Sequence, residues 1–152
     1  MGADEIQAAM DAAAAEVLET MCFADVLASA AGPAPADGAA GVPAVTAELH
    51  FEGDPPGWFR AGAPARLARA LAAGFLGLEE PEVSDLQAGE VVCELANMIC
   101  GSLLSHIPSE TVFRIGHPEL VMTVRWGEGA SHRWFDLGEG ILSVSVELER
   151  RA

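Results

Sequence analysis

Lysine is absent from this 152-residue chain, and its eight basic residues are all arginine, set against 23 acidic ones. A net charge of −15 argues against nucleic acid or an anionic membrane as the main partner, because both call for a positive surface. Cysteine is scarce: Cys22, Cys93 and Cys100 are odd in number and form no C-x-x-C metal or redox pattern. Cys93 and Cys100 lie seven residues apart on one predicted helix, roughly 10 Å at helical rise, too far for a disulfide. Reduced, small core residues fit better, and these suit a cytoplasm. No apolar run reaches membrane-spanning length, and "MGADEIQAAMDAAAAEV" has acids where a signal peptide has bases. The expectation is a soluble, cytoplasmic protein.

Catalytic and metal signatures are missing as well. His50, His106, His117 and His132 are scattered without ligand spacing, so no metal site is expected. No serine lies in G-x-S-x-G, and no glycine-rich loop offers a phosphate cradle. Trp58, Trp126 and Trp134 fall in predicted strands and read as packing residues.

What is present suits one globular domain spanning residues 1–152: hydrophobic residues make up 51% and charged residues 20%. Residues 4–28 are Ala-rich with Ile6, Met10, Val17 and Met21 at helical spacings, and predict a first helix. "SAAGPAPADGAAGVP" follows, and residues 31–43 are expected to form a flexible Pro/Gly/Ala surface loop. Residues 44–53 alternate as a strand, "DPPG" turns, and "WFRAGA" pairs back as a hairpin. Pro64 sits at the N1 position of a helix over 64–77. A central helix follows over 86–106, capped by Ser84 or Asp85, with Pro108 beyond it. Residues 119–126, 132–137 and 141–149 predict three strands in an antiparallel meander. The layout is α+β, an antiparallel sheet with long helices packed on one face, and its element order suggests two related helix-then-strands halves.

The central helix carries the anomaly. At about 100° per residue, Val92, Leu95, Ala96, Ile99 and Leu103 form an apolar face, while Glu90, Glu94, Asn97 and Gly101 fall within a sector of roughly 60° opposite it. A solvated face accounts for such a stripe in most amphipathic helices. This one is unusually thin, however. Asn is a poor helix former, and Gly101 costs on the order of 1 kcal/mol, which implies that something approaches closely there.

"ELANMICG" resembles the signature of the CheC/CheX/FliY chemotaxis phosphatases, an E-x-x-N pair on a long helix followed by a small-residue step and a later proline. Glu94 and Asn97 match the pair, Gly101 the step and Pro118 the proline, while Glu90 stands where the family has Asp or Ser. The first helix offers only "EVLE", Glu16 and Glu19, in place of a second pair, so the resemblance implies a single site as in the CheX branch. It further implies hydrolysis of the phosphoaspartate of a CheY-like receiver domain, with Asn97 orienting water and Glu94 docking to the receiver's lysine. Glu90 and Gly101 become partner-contacting positions. No cation lies in the central helix, so the resemblance implies no cofactor of the chain's own and Mg²⁺ supplied by the receiver. A homodimer paired through strands is the expected assembly. The rival reading is a non-catalytic module of the same fold that binds a receiver or a flagellar-switch component.

Overall fold

A computed structural model describes residues 2–35, 45–109, 111–122 and 129–149. Among these residues three α-helices, α1 (Ala3–Cys22), α2 (Ala65–Leu76) and α3 (Asp85–Leu104), accompany seven strands in a single sheet. The strands are β1 (Ala28–Ala31), β2 (Val45–Glu52), β3 (Gly57–Ala63), β4 (Arg114–Ile115), β5 (Glu119–Val121), β6 (Ser131–Asp136) and β7 (Ile141–Leu148). All pairings are antiparallel, in the order β1-β6-β7-β3-β2-β4, with β5 also on β2.

Period-2 alternation decides which face of the sheet is buried. Ala47, Leu49 and Phe51 on β2, Phe59, Ala61 and Ala63 on β3, Phe135 on β6, and Leu142, Val144 and Val146 on β7 all turn toward the helices. The helices answer with Met10, Ala13, Leu18, Leu67, Leu71, Val92, Leu95 and Ile99. On the opposite face Arg60 is buried against Glu48, lies 3.8 Å from Glu147, and stacks 5.7 Å from the Trp58 ring.

Exchanging the two halves of the chain leaves the strand order unchanged. The first strand of each half pairs with the second strand of the other: β1 with β6, and β5 with β2, while β3 and β7 meet at the centre. The suggested duplication is therefore visible in topology, with α1 and α3 as counterparts and α2 as the joint.

Several expectations are corrected. The first helix stops at Cys22, where Phe23 turns left-handed (φ 56°) and its N–H bonds to the Leu18 carbonyl. Of the residues expected to continue that helix, 23–27 form an irregular link and Ala28 opens β1, where pairing with β6 satisfies the backbone that Ala propensity alone would have left helical. The C-terminal strands are not a meander: β5 leaves β6 and β7 to pair with β2. The sheet edges are accordingly β1 and the β4/β5 segment, not the C-terminal hairpin. Pro64 is the N-cap of α2 and not its first residue, and the short strand β4 was not anticipated. Most of the 31–43 loop, Trp126 and the end of the 119–126 strand lie outside the described residues.

Gly74 explains how α1 and α2 meet. A Cβ there would stand 2.2 Å from the Cys22 carbonyl oxygen, so α2 passes directly over the end of α1. Gly→Ala in a helix usually stabilises by about 1 kcal/mol. Here the sign should reverse: Gly74→Ala is expected to cost roughly 1–3 kcal/mol, read as a lower urea midpoint with unchanged slope.

Candidate functional site

The site is built on α3, a 20-residue helix started by a capping box in which Ser84 and Gln87 satisfy one another's backbone N–H groups. Leu95, Ala96, Ile99, Cys100 and Leu103 anchor it in the core. This anchoring fixes the opposite stripe: Glu90 and Glu94 are exposed, and Asn97 and Gly101 half-buried. Among the described residues, no side-chain hydrogen bond or ion pair engages Glu90, Glu94 or Asn97, and the two carboxylates act only electrostatically, on the neighbouring Cys93 thiol. Asn97 therefore has no capping or bridging task among the described residues that would explain a poor helix former at this position.

Gly101 behaves differently from the expectation. Among the described residues a Cβ there would meet only Ile115 Cδ1 at 3.5 Å, an ordinary contact, so no close approach within them accounts for the glycine. The close approach is at Gly89, where a Cβ would stand 2.7 Å from Leu120 Cδ1. That contact comes from β5, whose pairing with β2 was not foreseen.

The electrostatics of the stripe are acidic. Arg69 reaches α3 only at its first residue, bonding Asp85 at 2.6 Å. Arg60 and Arg133 are engaged elsewhere: Arg133 donates to Ser29 at 2.7 Å and to Asp11 at 3.3 Å. Cys93, between Glu90 and Glu94, has its thiol pKa pushed up by burial and then by these two carboxylates. It stays protonated and is no nucleophile. Burial pushes Cys22 up to about 11 and Cys100 up to about 12.

The histidines serve elsewhere. His50 faces Glu149 at 3.3 Å, and His132 Nδ1 lies 2.7 Å from Ser145 Oγ, both on the strands. Among the described residues no three His, Cys, Asp or Glu side chains converge as a metal site requires. No described helix is long and apolar enough to cross a membrane.

The duplication supplies an internal comparison. Both α1 and α3 have 20 residues, and aligning their starts matches the buried Ala9, Met10, Ala13, Ala14, Val17 and Leu18 with Val91, Val92, Leu95, Ala96, Ile99 and Cys100. The counterparts of Glu94 and Asn97 are then Ala12 and Ala15, and not members of "EVLE". On α1 the polar pair is replaced by methyl groups, so the arrangement occurs once.

Solved structures share this fold from end to end. CheX from Desulfovibrio desulfuricans matches with a TM-score of 0.74 at 20% identity, over 95% of this chain and 99% of that one. CheX from Vibrio vulnificus matches with a TM-score of 0.74 at 21% identity, over 98% and 99%. The CheX of a CheX–CheY–BeF3–Mg²⁺ complex from Borrelia burgdorferi matches with 0.74 at 19%, over 94% and 97%. No curated protein matches the chain significantly. The chemotaxis phosphatase CheX pattern matches residues 45–125, which run from β2 through α3 to just beyond β5, and the chain therefore belongs to the CheX family.

Proposed function

We propose that the protein is a phosphatase that removes the phosphoryl group from the aspartate of a CheY-like receiver domain. The observation that carries this reading is the E-x-x-N pair of Glu94 and Asn97, displayed on one ridge of α3 without a hydrogen-bond or ion-pair partner among the described residues. Family membership and the receiver bound to the Borrelia relative support it.

Hydrolysis of an acyl phosphate places water in line with the P–O bond to the aspartate. The water oxygen bonds to phosphorus, that P–O bond breaks, and inorganic phosphate leaves a free carboxylate. Little covalent chemistry is asked of a protein here; the requirements are positioning and charge neutralisation. The Asn97 carboxamide answers the first, its oxygen accepting from water while its nitrogen donates nearby. Charge neutralisation comes from the receiver's own Mg²⁺ and lysine, since the stripe has no cation of its own. Glu94 pairs with that lysine and sets the register in which Asn97 enters. It is a docking residue first, because an exposed carboxylate is a weak base at neutral pH. Glu90 extends the same negative contact.

Gly101 keeps the ridge low one turn beyond Asn97. Gly101→Ala should raise helix stability by about 0.5–1 kcal/mol while weakening receiver binding. A thermal melt and a binding isotherm on the same variant check the two opposite signs.

With a receiver as partner, the proposed setting is the cytoplasm. Association of two copies through strands would use the β1 or β5 edge. The test of function is loss of phosphate from CheY-type receivers with Mg²⁺ present: acceleration by the parent protein supports the enzyme. Binding with unchanged decay would support the non-catalytic module.

A further inference from the structure

Beside the acidic stripe lies an apolar rim. Leu86 on the first turn of α3 is 73% exposed, Leu120 on β5 is 52% exposed, and Met122 is fully exposed. Leu120 and Ala47 are register partners and Ala47 turns toward the helices, so Leu120 points to the α3 side, and Met122 stands in the bend just after β5. Helical rows place this rim relative to the candidate site. Leu86, Glu90 and Glu94 form one row at four-residue spacing, and Gly89, Cys93, Asn97 and Gly101 form the next. The Leu120 side chain seats on Gly89, where the missing Cβ makes room for it. Leu86 and Leu120 thus head the two rows that carry Glu94 and Asn97, with roughly 12 Å of helix between Gly89 and Asn97.

We infer that Leu86 and Leu120 form the apolar half of the receiver-docking surface, an inference that rests on the function proposed above. A stable contact covers about 800 Å² on each partner, far more than Glu90, Glu94, Asn97 and Gly101 offer. An apolar anchor beside a charged register pair is the usual way such a surface gains affinity. Charge selects the occupant. A second copy meeting this face about a two-fold axis would set Glu90 and Glu94 against themselves, in a chain already at −15. A receiver that presents a lysine and Mg²⁺ beside its phosphoaspartate is complementary. The rim is therefore a specificity determinant: it accepts receivers with an apolar patch at the matching distance from the phosphorylation site.

The test is steady-state dephosphorylation of a panel of CheY-type receivers, the Borrelia burgdorferi CheY among them, by the parent, by the double variant Leu86→Gln/Leu120→Thr, and by Phe23→Ser. Phe23 is an equally exposed apolar residue, 82% accessible, at the far end of α1. The double variant should raise KM about tenfold with kcat changed less than twofold, and should weaken binding of the beryllofluoride-loaded receiver in parallel. Phe23→Ser should leave both at the parent values. Circular dichroism melts establish that the double variant is folded, and the single Leu86→Gln, at an exposed helix position, gives the same readout if Leu120→Thr disturbs β5. An unchanged KM overturns the inference and leaves the phosphatase standing. An unchanged KM with a shift from dimer to monomer in sedimentation equilibrium assigns the rim to a second copy. A parent protein that neither binds nor dephosphorylates any receiver overturns the proposed function, and this inference with it.

Discussion

Asn97→Ala should leave the protein folded and able to bind a phosphorylated receiver, yet reduce its acceleration of phosphate loss by about 100-fold or more. The fold is spared because Asn97 is half-buried on the outer ridge and makes no hydrogen bond among the described residues. Alanine is moreover the better helix former, so the variant should melt no lower than the parent. Its expected defect is confined to kcat, since the carboxamide contributes only when water is being held in line. Asn97→Asp sharpens the comparison. It keeps the shape, removes the N–H₂ donor and sets a negative charge beside the transferring phosphoryl group, so it should be at least as inactive as alanine. Single-turnover decay of a labelled receiver with each variant in excess provides the measurement. Parent-like acceleration by Asn97→Ala would remove Asn97 from the chemistry, whereas unchanged receiver decay with the parent itself would leave the non-catalytic module as the better account.

The central helix was legible from sequence because its signals are local. Ser84 and Gln87 cap it, its apolar residues repeat at 3.6, and Glu94 and Asn97 break that repeat on one side only. The hairpin β2–β3 was equally legible, since alternation and a tight turn lie within 20 residues. What escaped was long-range. Nothing near Glu119–Val121 announces that it pairs with Thr46–Glu48 and not with its neighbours β6 and β7. Nor does the Ala-rich run after Cys22 announce a strand, because its partner β6 lies about a hundred residues away and tertiary pairing overrides propensity. The same limit hid the meaning of the glycines. Gly101 drew attention as a helix breaker, while Gly89 and Gly74, whose missing Cβ atoms make room for Leu120 and Cys22, can be interpreted only once those elements are in place.

Glu94→Arg should produce the complementary failure, a rise of about 100-fold or more in KM for the phosphorylated receiver with kcat retained at saturation. The side chain is exposed and has no ion-pair partner among the described residues, so its pairing energy is unspent until a cation arrives. In the proposed complex that cation is the receiver's lysine, and reversing the charge turns attraction into repulsion at the register point. Glu94→Ala should fall between, at about tenfold, since one charge pair is lost without a new repulsion. Ionic strength separates this from simple mispacking. The parent's KM should climb with added salt as screening weakens the pair, whereas that of Glu94→Ala should climb less. Equal salt slopes for the two proteins would remove Glu94 from the charge contact and hand the docking role to Glu90. If both kcat and KM collapse in Glu94→Ala, the carboxylate acts on the reacting water itself, and the division of labour between Glu94 and Asn97 would have to be redrawn.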